Sequence, residues 1–139
     1  MSRIICIDDD RDILASLKMI LESNGHEVMT AESGDMGFKE AQKWNPDVII
    51  LDVMMDDDTD GFHTAYRFRQ SEQLKFKPIL MLTSVNQVSN FNFSKENSGE
   101  FLPVDEFIEK PISPEKLTAL IDKLVRLTKE QINVDGRAS

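Results

Sequence analysis

A single cysteine, Cys6, rules out a disulfide framework within the chain, and a reducing compartment is then the default. Basic residues are scarce. Sixteen Lys and Arg stand against 25 Asp and Glu, a formal net charge of −9. Phosphate backbones select basic surfaces, so direct nucleic-acid binding is not expected. No apolar run approaches the about 20 residues that a membrane helix needs. Met1-Ser2-Arg3 leads straight into a short apolar run, without the h-region of a signal peptide. A cytoplasmic protein with no membrane role is expected. There is no internal repeat and no visible linker to an output domain, so one domain is expected over residues 1–129, followed by a polar tail over 130–139.

Hydrophobic residues make up 40% of the chain, enough for a core. Short aliphatic runs at Ile4–Ile7, Val48–Leu51 and Ile79–Leu82 fit strands buried on both faces of a parallel sheet, with weaker candidates at Glu27–Ala31 and Glu106–Glu109. Helical patterns lie between them. Ile13, Leu14, Leu17, Ile20 and Leu21 share one face, and Asn24-Gly25 offers a stop. Ser33 caps a helix ending near Trp44, and another is expected from about Gly61 to Glu72. Ser113 and Pro114 open the last, whose stripe is Leu117, Leu120, Ile121 and Leu124. Topology calls for one more helix in Val85–Pro103, but that stretch is rich in Asn and Ser, and a short or mobile helix is expected there. The alternation predicts a doubly wound α/β fold with five parallel strands and five helices.

Sites in such sheets form outside the carboxyl ends of the strands. Asp8, Asp9 and Asp10 follow the first strand, Asp52 ends the third, Thr83-Ser84 end the fourth and Lys110-Pro111 the fifth. Parallel strands would bring them to one edge. Clustered carboxylates need a counter-charge, and Mg²⁺ prefers a few carboxylates plus waters and a phosphate. A carboxylate can also act as a nucleophile and form an acyl phosphate, while a metal and a lysine neutralise the transferring group.

The segments Ile5-Cys6-Ile7-Asp8-Asp9, Val48-Ile49-Ile50-Leu51-Asp52-Val53-Met54-Met55, Pro78-Ile79-Leu80-Met81-Leu82-Thr83-Ser84 and Phe107-Ile108-Glu109-Lys110-Pro111 resemble those of response-regulator receiver domains, of the stand-alone chemotaxis type. The similarity runs from residue 3 to about 128. It implies a flavodoxin-like fold and a phosphorylation-driven switch or phosphorelay intermediate, not an enzyme beyond slow autodephosphorylation. It implies Asp52 as phosphoryl acceptor. Mg²⁺ or Mn²⁺ would be held by Asp9, by Asp8 largely through water, by Asp52 and by the Met54 carbonyl. Thr83 would be the switch hydroxyl, Lys110 the family's lysine and Phe107 the aromatic switch position. Met54 and Val85 would flank the path of the hydrolytic water, and the Lys110–Pro111 bond would be cis. The implied partners are a sensor histidine kinase or histidine phosphotransfer protein and a downstream protein; phosphorylation-dependent pairing of two copies is left open. Three features depart from the family pattern. Asp56 stands where the family usually has Pro, the Asp56–Gly61 loop is one residue longer, and Thr83 to Lys110 is about five residues longer than in chemotaxis-type members.

Other readings compete. Asp8-Asp9-Asp10-Arg11-Asp12 superficially fits the nucleophile motif of haloacid-dehalogenase-type phosphohydrolases, although no later strand ends in the required acidic pair. A degenerate receiver serving as a docking module is the other alternative. Asp56-Asp57-Asp58-Thr59-Asp60-Gly61 matches the start of an EF-hand loop, but the twelfth position is Arg67 instead of Glu. Asp10 reads as a helix cap and Cys6 as core. Neither His26 nor His63 has partner ligands at helical spacing.

Overall fold

The computed structural model describes residues 2–52, 60–83 and 104–134, with side chains omitted for 60–62 and 127–134. Strands β1 (Arg3–Ile7), β2 (Glu27–Ala31), β3 (Val48–Asp52), β4 (Ile79–Thr83) and β5 (Glu106–Glu109) form one parallel sheet in the order β2-β1-β3-β4-β5. Four described helices accompany it: α1 (Arg11–Ser23), α2 (Gly34–Trp44), α3 (Asp60–Gln70) and α4 (Pro114–Val134). This is the expected flavodoxin-like arrangement. The additional helix expected in Val85–Pro103 lies outside the described residues.

The central strands β1, β3 and β4 are aliphatic along most of their length because both faces of the sheet are covered there, whereas the edge strands β2 and β5 also carry polar residues. Ile4 and Cys6 of β1, Val48 and Ile50 of β3, and Leu80 and Leu82 of β4 pack against Leu14, Leu17 and Leu21 of α1 and Leu117, Ile121 and Leu124 of α4. The alternate residues Ile5, Ile7, Ile49, Leu51, Ile79 and Met81 meet Ala41 of α2 and Ala65 and Phe68 of α3. Each of the Val, Leu, Ile, Met and Phe side chains among them contributes about 1.5–3 kcal/mol on burial. Cys6 is fully buried, as expected, and burial pushes its thiol pKa up.

Local signals set most helix ends. Asp10 caps α1, its Oδ1 accepting from the N–H groups of Asp12 and Ile13, and Gly25 closes it at φ +90°, a conformation that favours glycine. Ser33 caps α2 by accepting from Met36 N, and Asn45 ends it in the left-handed region at φ 57°. Ser113 caps α4. Two ends differ from expectation. Helix α3 stops at Gln70, not Glu72, because the chain folds into turns in which Leu74 N donates to Ser71 O and Lys77 N to Leu74 O. Helix α4 runs to Val134, into the stretch read as a tail, since no helix breaker intervenes before Gly136.

Candidate functional site

The parallel register carries the polar strand ends to one edge. Asp52 and Thr83 are the last residues of β3 and β4, Asp8 directly follows β1, and Lys110 directly follows β5. Asp52 pairs in register with Leu82, and Thr83 with Glu109, so the ends are level. Lys110 N then donates to Thr83 O at 2.6 Å, which directs its side chain back over the edge.

The result is a buried ionic cluster. Asp8 and Asp52 are almost wholly excluded from solvent, while Asp9 is exposed. The Lys110 ammonium lies 3.0 Å from Asp52 Oδ1 and 3.4 Å from Asp8 Oδ2. Asp8 Oδ1 accepts from Asp10 N at 2.9 Å, which holds the carboxylate at the head of α1. Apart from these ammonium contacts, Asp8 Oδ2 and Asp52 Oδ1 have no hydrogen-bond partner among the described residues, and neither does the buried Thr83 hydroxyl. Such atoms are costly unless something else binds them.

Protonation follows this geometry. Burial, reinforced by the neighbouring Asp8 charge, pushes the Asp52 pKa up to about 6. Burial also raises that of Asp8, against the pull of Asp10 N–H and Lys110. Burial alone would lower the Lys110 pKa, but Asp52 and Asp8 outweigh it and hold the ammonium charged. One lysine does not neutralise the acids. Carboxylate oxygens of Asp8, Asp9 and Asp52 lie within 4.8 Å of one another. Mg²⁺ takes oxygens at about 2.0–2.1 Å, so its ligands lie up to roughly 4.2 Å apart. A closure of about half an ångström would bring the three into range. All-oxygen donors and an excess of carboxylate over ammonium charge suit a hard divalent cation.

The remaining predicted positions divide. Phe107 is partly buried against the core on the α2–α3 side, and with Thr83, Lys110 and Leu120 it lines an open cavity of about 760 Å³. The Lys110–Pro111 bond is cis. Met54, Val85 and most of the acidic loop 56–61 lie outside the described residues. Arg67, at the twelfth EF-hand position, instead pairs with Asp35 and lies 4.6 Å from the Phe38 ring centroid. His26 Nδ1 accepts from Ser2 N at the opposite edge of the sheet. Sequence reading missed Arg69 and Asp105, which bond each other across 36 residues; no local pattern marks such a pair.

A family model for the response regulator receiver domain matches residues 4–122. The chain is 36% identical over 124 residues to the alkaline phosphatase synthesis transcriptional regulatory protein PhoP of Bacillus subtilis, covering 89% of this chain and 48% of that protein. It is 34% identical over 126 residues to the transcriptional regulatory protein AfsQ1 of Streptomyces coelicolor, covering 91% of this chain and 52% of that one. The chain thus spans about half the length of these curated relatives. The crystal structure of the chemotaxis protein CheY4 of Vibrio cholerae superimposes with a TM-score of 0.75 at 32% identity, covering 89% of this chain and 98% of that one. The family match decides against the phosphohydrolase reading. With the sheet order, the clustered acids and the lysine already in place, the chain belongs to the response regulator receiver domain family of two-component signalling.

Proposed function

We propose that Asp52 accepts a phosphoryl group from a sensor histidine kinase or histidine phosphotransfer protein and that the chain works as the resulting switch or as a relay intermediate. One observation carries this reading. A buried carboxylate, Asp52, ends a central strand facing a second buried acid and an ammonium 3.0 Å away. An Asp52 carboxylate oxygen would attack the phosphorus in line, the phosphorus–nitrogen bond to the donor histidine would break, and its electron pair would return to the imidazole. Lys110 would neutralise charge on the phosphoryl oxygens. Asp8, Asp9, Asp52 and the Met54 carbonyl would hold Mg²⁺ or Mn²⁺, which when bound supplies further positive charge at the same oxygens.

The raised Asp52 pKa works against the ionised form that the nucleophile needs, and a nearby cation would draw it down. The Thr83 hydroxyl, without a hydrogen-bond partner among the described residues, is available to bond a phosphoryl oxygen, and the half-buried Phe107 would repack as Thr83 moves. The juxtaposition of Asp8, Asp52 and Lys110 supports a working acceptor over a degenerate docking module. We read the output as contact with a downstream protein or onward phosphoryl transfer, with no direct nucleic-acid or membrane contact by this domain.

Incubation of the full chain with acetyl phosphate and Mg²⁺ is expected to add one phosphoryl group, and Asp52→Ala is expected to add none. Incorporation by Asp52→Ala at the wild-type rate would refute the assignment.

A further inference from the structure

The edge strand β5 has four residues, and its side-chain pattern specifies register weakly. Ile108 is its fully buried residue, and its neighbour Phe107 is apolar too. A slip of one position would therefore put one apolar side chain where the other had been on one face. At the site the consequence is larger. Lys110 is the next residue, and one step would shift it by about 3.3 Å and turn it to the opposite face.

The far end of the strand carries the restraints that the apolar pattern lacks. Asp105 Oδ2 accepts from Arg69 Nη2 at 2.8 Å and from the N–H of Ile79, the first residue of β4, at 2.8 Å. Asp105 N donates in turn to Ile79 O at 2.9 Å. Arg69 Nη1 donates to the carbonyls of Lys75 and Lys77 at 2.9 and 2.7 Å, so the same guanidinium holds the turn that leads into β4. The next residue, Glu106, is tied to the helix on the other face, its Oε2 accepting from Lys123 Nζ at 2.6 Å. Consecutive acids thus anchor the start of β5 to both helical layers.

We propose that Asp105, held by Arg69, is a positioning residue that sets the register of β5 on β4 and thereby places the Lys110 ammonium at Asp52 and Asp8, about 16 Å further along the chain. The Arg69–Asp105 pair is partly exposed, and such pairs contribute little net stability. Its weight lies in where the chain sits, and its loss leaves the domain folded. The consequence for phosphoryl transfer rests on the reading of Asp52 as acceptor; the placement of Lys110 does not.

The test uses Asp105→Ala and Arg69→Ala in the full chain, with Asp105→Asn as the conservative variant, since an amide oxygen still accepts both bonds. Asp47→Ala is the control, because Asp47 Oδ2 makes an equivalent bond to Arg3 N at the same edge of the sheet. Without metal, NMR reads β4–β5 amide contacts and the Lys110 ammonium resonance. With Mg²⁺, the readouts are metal affinity and the initial rate of phosphoryl loading from acetyl phosphate. Misplacement far from the chemistry can cost up to about a hundredfold in rate, and both alanine variants are expected to load about tenfold more slowly. They are expected to lose the protected Lys110 resonance while Mg²⁺ affinity holds, because the metal-binding acids sit at β1 and β3. Asp105→Asn should restore most of both signals, and Asp47→Ala should match the wild type. A wild-type Lys110 resonance in Asp105→Ala overturns the proposal whatever the rate, as does equal slowing in Asp47→Ala. If the wild-type chain takes up no phosphoryl group, the reading of Asp52 fails, and the resonance alone decides the register.

Discussion

Lys110 Nζ stands 3.0 Å from Asp52 Oδ1 although β4 lies between the strands that deliver them. The lysine crosses the end of β4, where its own backbone N–H is bonded to the Thr83 carbonyl, to reach its partner. Its ammonium is the positive charge that the pair Asp8 and Asp52 shares, and the energetic balance of the site depends on it.

That balance sets a pH dependence. The Asp52 pKa is raised from 3.8 to about 6, so between those values the folded chain binds more protons than the unfolded one, and stability is lost as pH rises through the window. Without metal, the protein is expected to be less stable at pH 7.5 than at pH 5, with Asp52 contributing on the order of 1–3 kcal/mol. Asp52→Asn should flatten this slope and be the more stable protein at pH 7.5. Urea unfolding in chelator at the two pH values checks it; parallel profiles for the two proteins would refute it.

Removing the lysine should act the other way. Breaking a buried pair by deleting one partner costs about 3–5 kcal/mol. Lys110 is partly exposed, so Lys110→Ala is expected to cost about 1–3 kcal/mol at pH 7.5. The loss should shrink at pH 5, where Asp52 can take a proton instead. A loss independent of pH would show that Lys110 acts through packing alone.

The phosphoryl group should be long-lived. Met54 and Val85 occupy the positions that flank the water path in the family resemblance, and neither side chain can orient a water by a strong hydrogen bond. One such bond, at about 1.4 kcal/mol in the transition state, corresponds to roughly tenfold in rate. Decay is expected well beyond seconds, with acceleration in Met54→Asn and Met54→Asn/Val85→Glu. Single-turnover decay in excess Mg²⁺ measures it, and decay of the wild type within seconds would end the idea.

A structural prediction concerns Gly37 in α2. A Cβ there would overlap Cδ1 and Cγ1 of Ile7, fully buried in β1. Gly37→Ala is therefore expected to destabilise by about 1–3 kcal/mol despite alanine's better helix propensity. Thermal or urea unfolding reads the change, and a stabilised variant would show that Ile7 repacks without strain.

Much of this molecule is legible in its sequence. The runs at Ile4–Ile7, Val48–Leu51 and Ile79–Leu82 announce buried parallel strands because a strand covered on both faces has no polar side to alternate with. Asp10, Ser33 and Ser113 mark helix starts because each satisfies backbone N–H groups within three residues of itself. The strand order then places Asp8, Asp52, Thr83 and Lys110 at one edge, since parallel strands share their carboxyl ends.

Distances, burial and partnership belong to the folded chain. That Asp8 loses nearly all contact with water while its neighbour Asp9 keeps it is a property of the folded chain between β1 and α1, not of three identical letters in a row. The overlap at Gly37 exists only where a helix presses on a strand, and α3 ends where the following turn, not a breaker residue, redirects the chain. Arg69 and Asp105 lie 36 residues apart and are individually unremarkable surface charges. Their bond exists because the fold brings the end of α3 beside the start of β5, and local sequence carries no record of which distant carboxylate a guanidinium will meet.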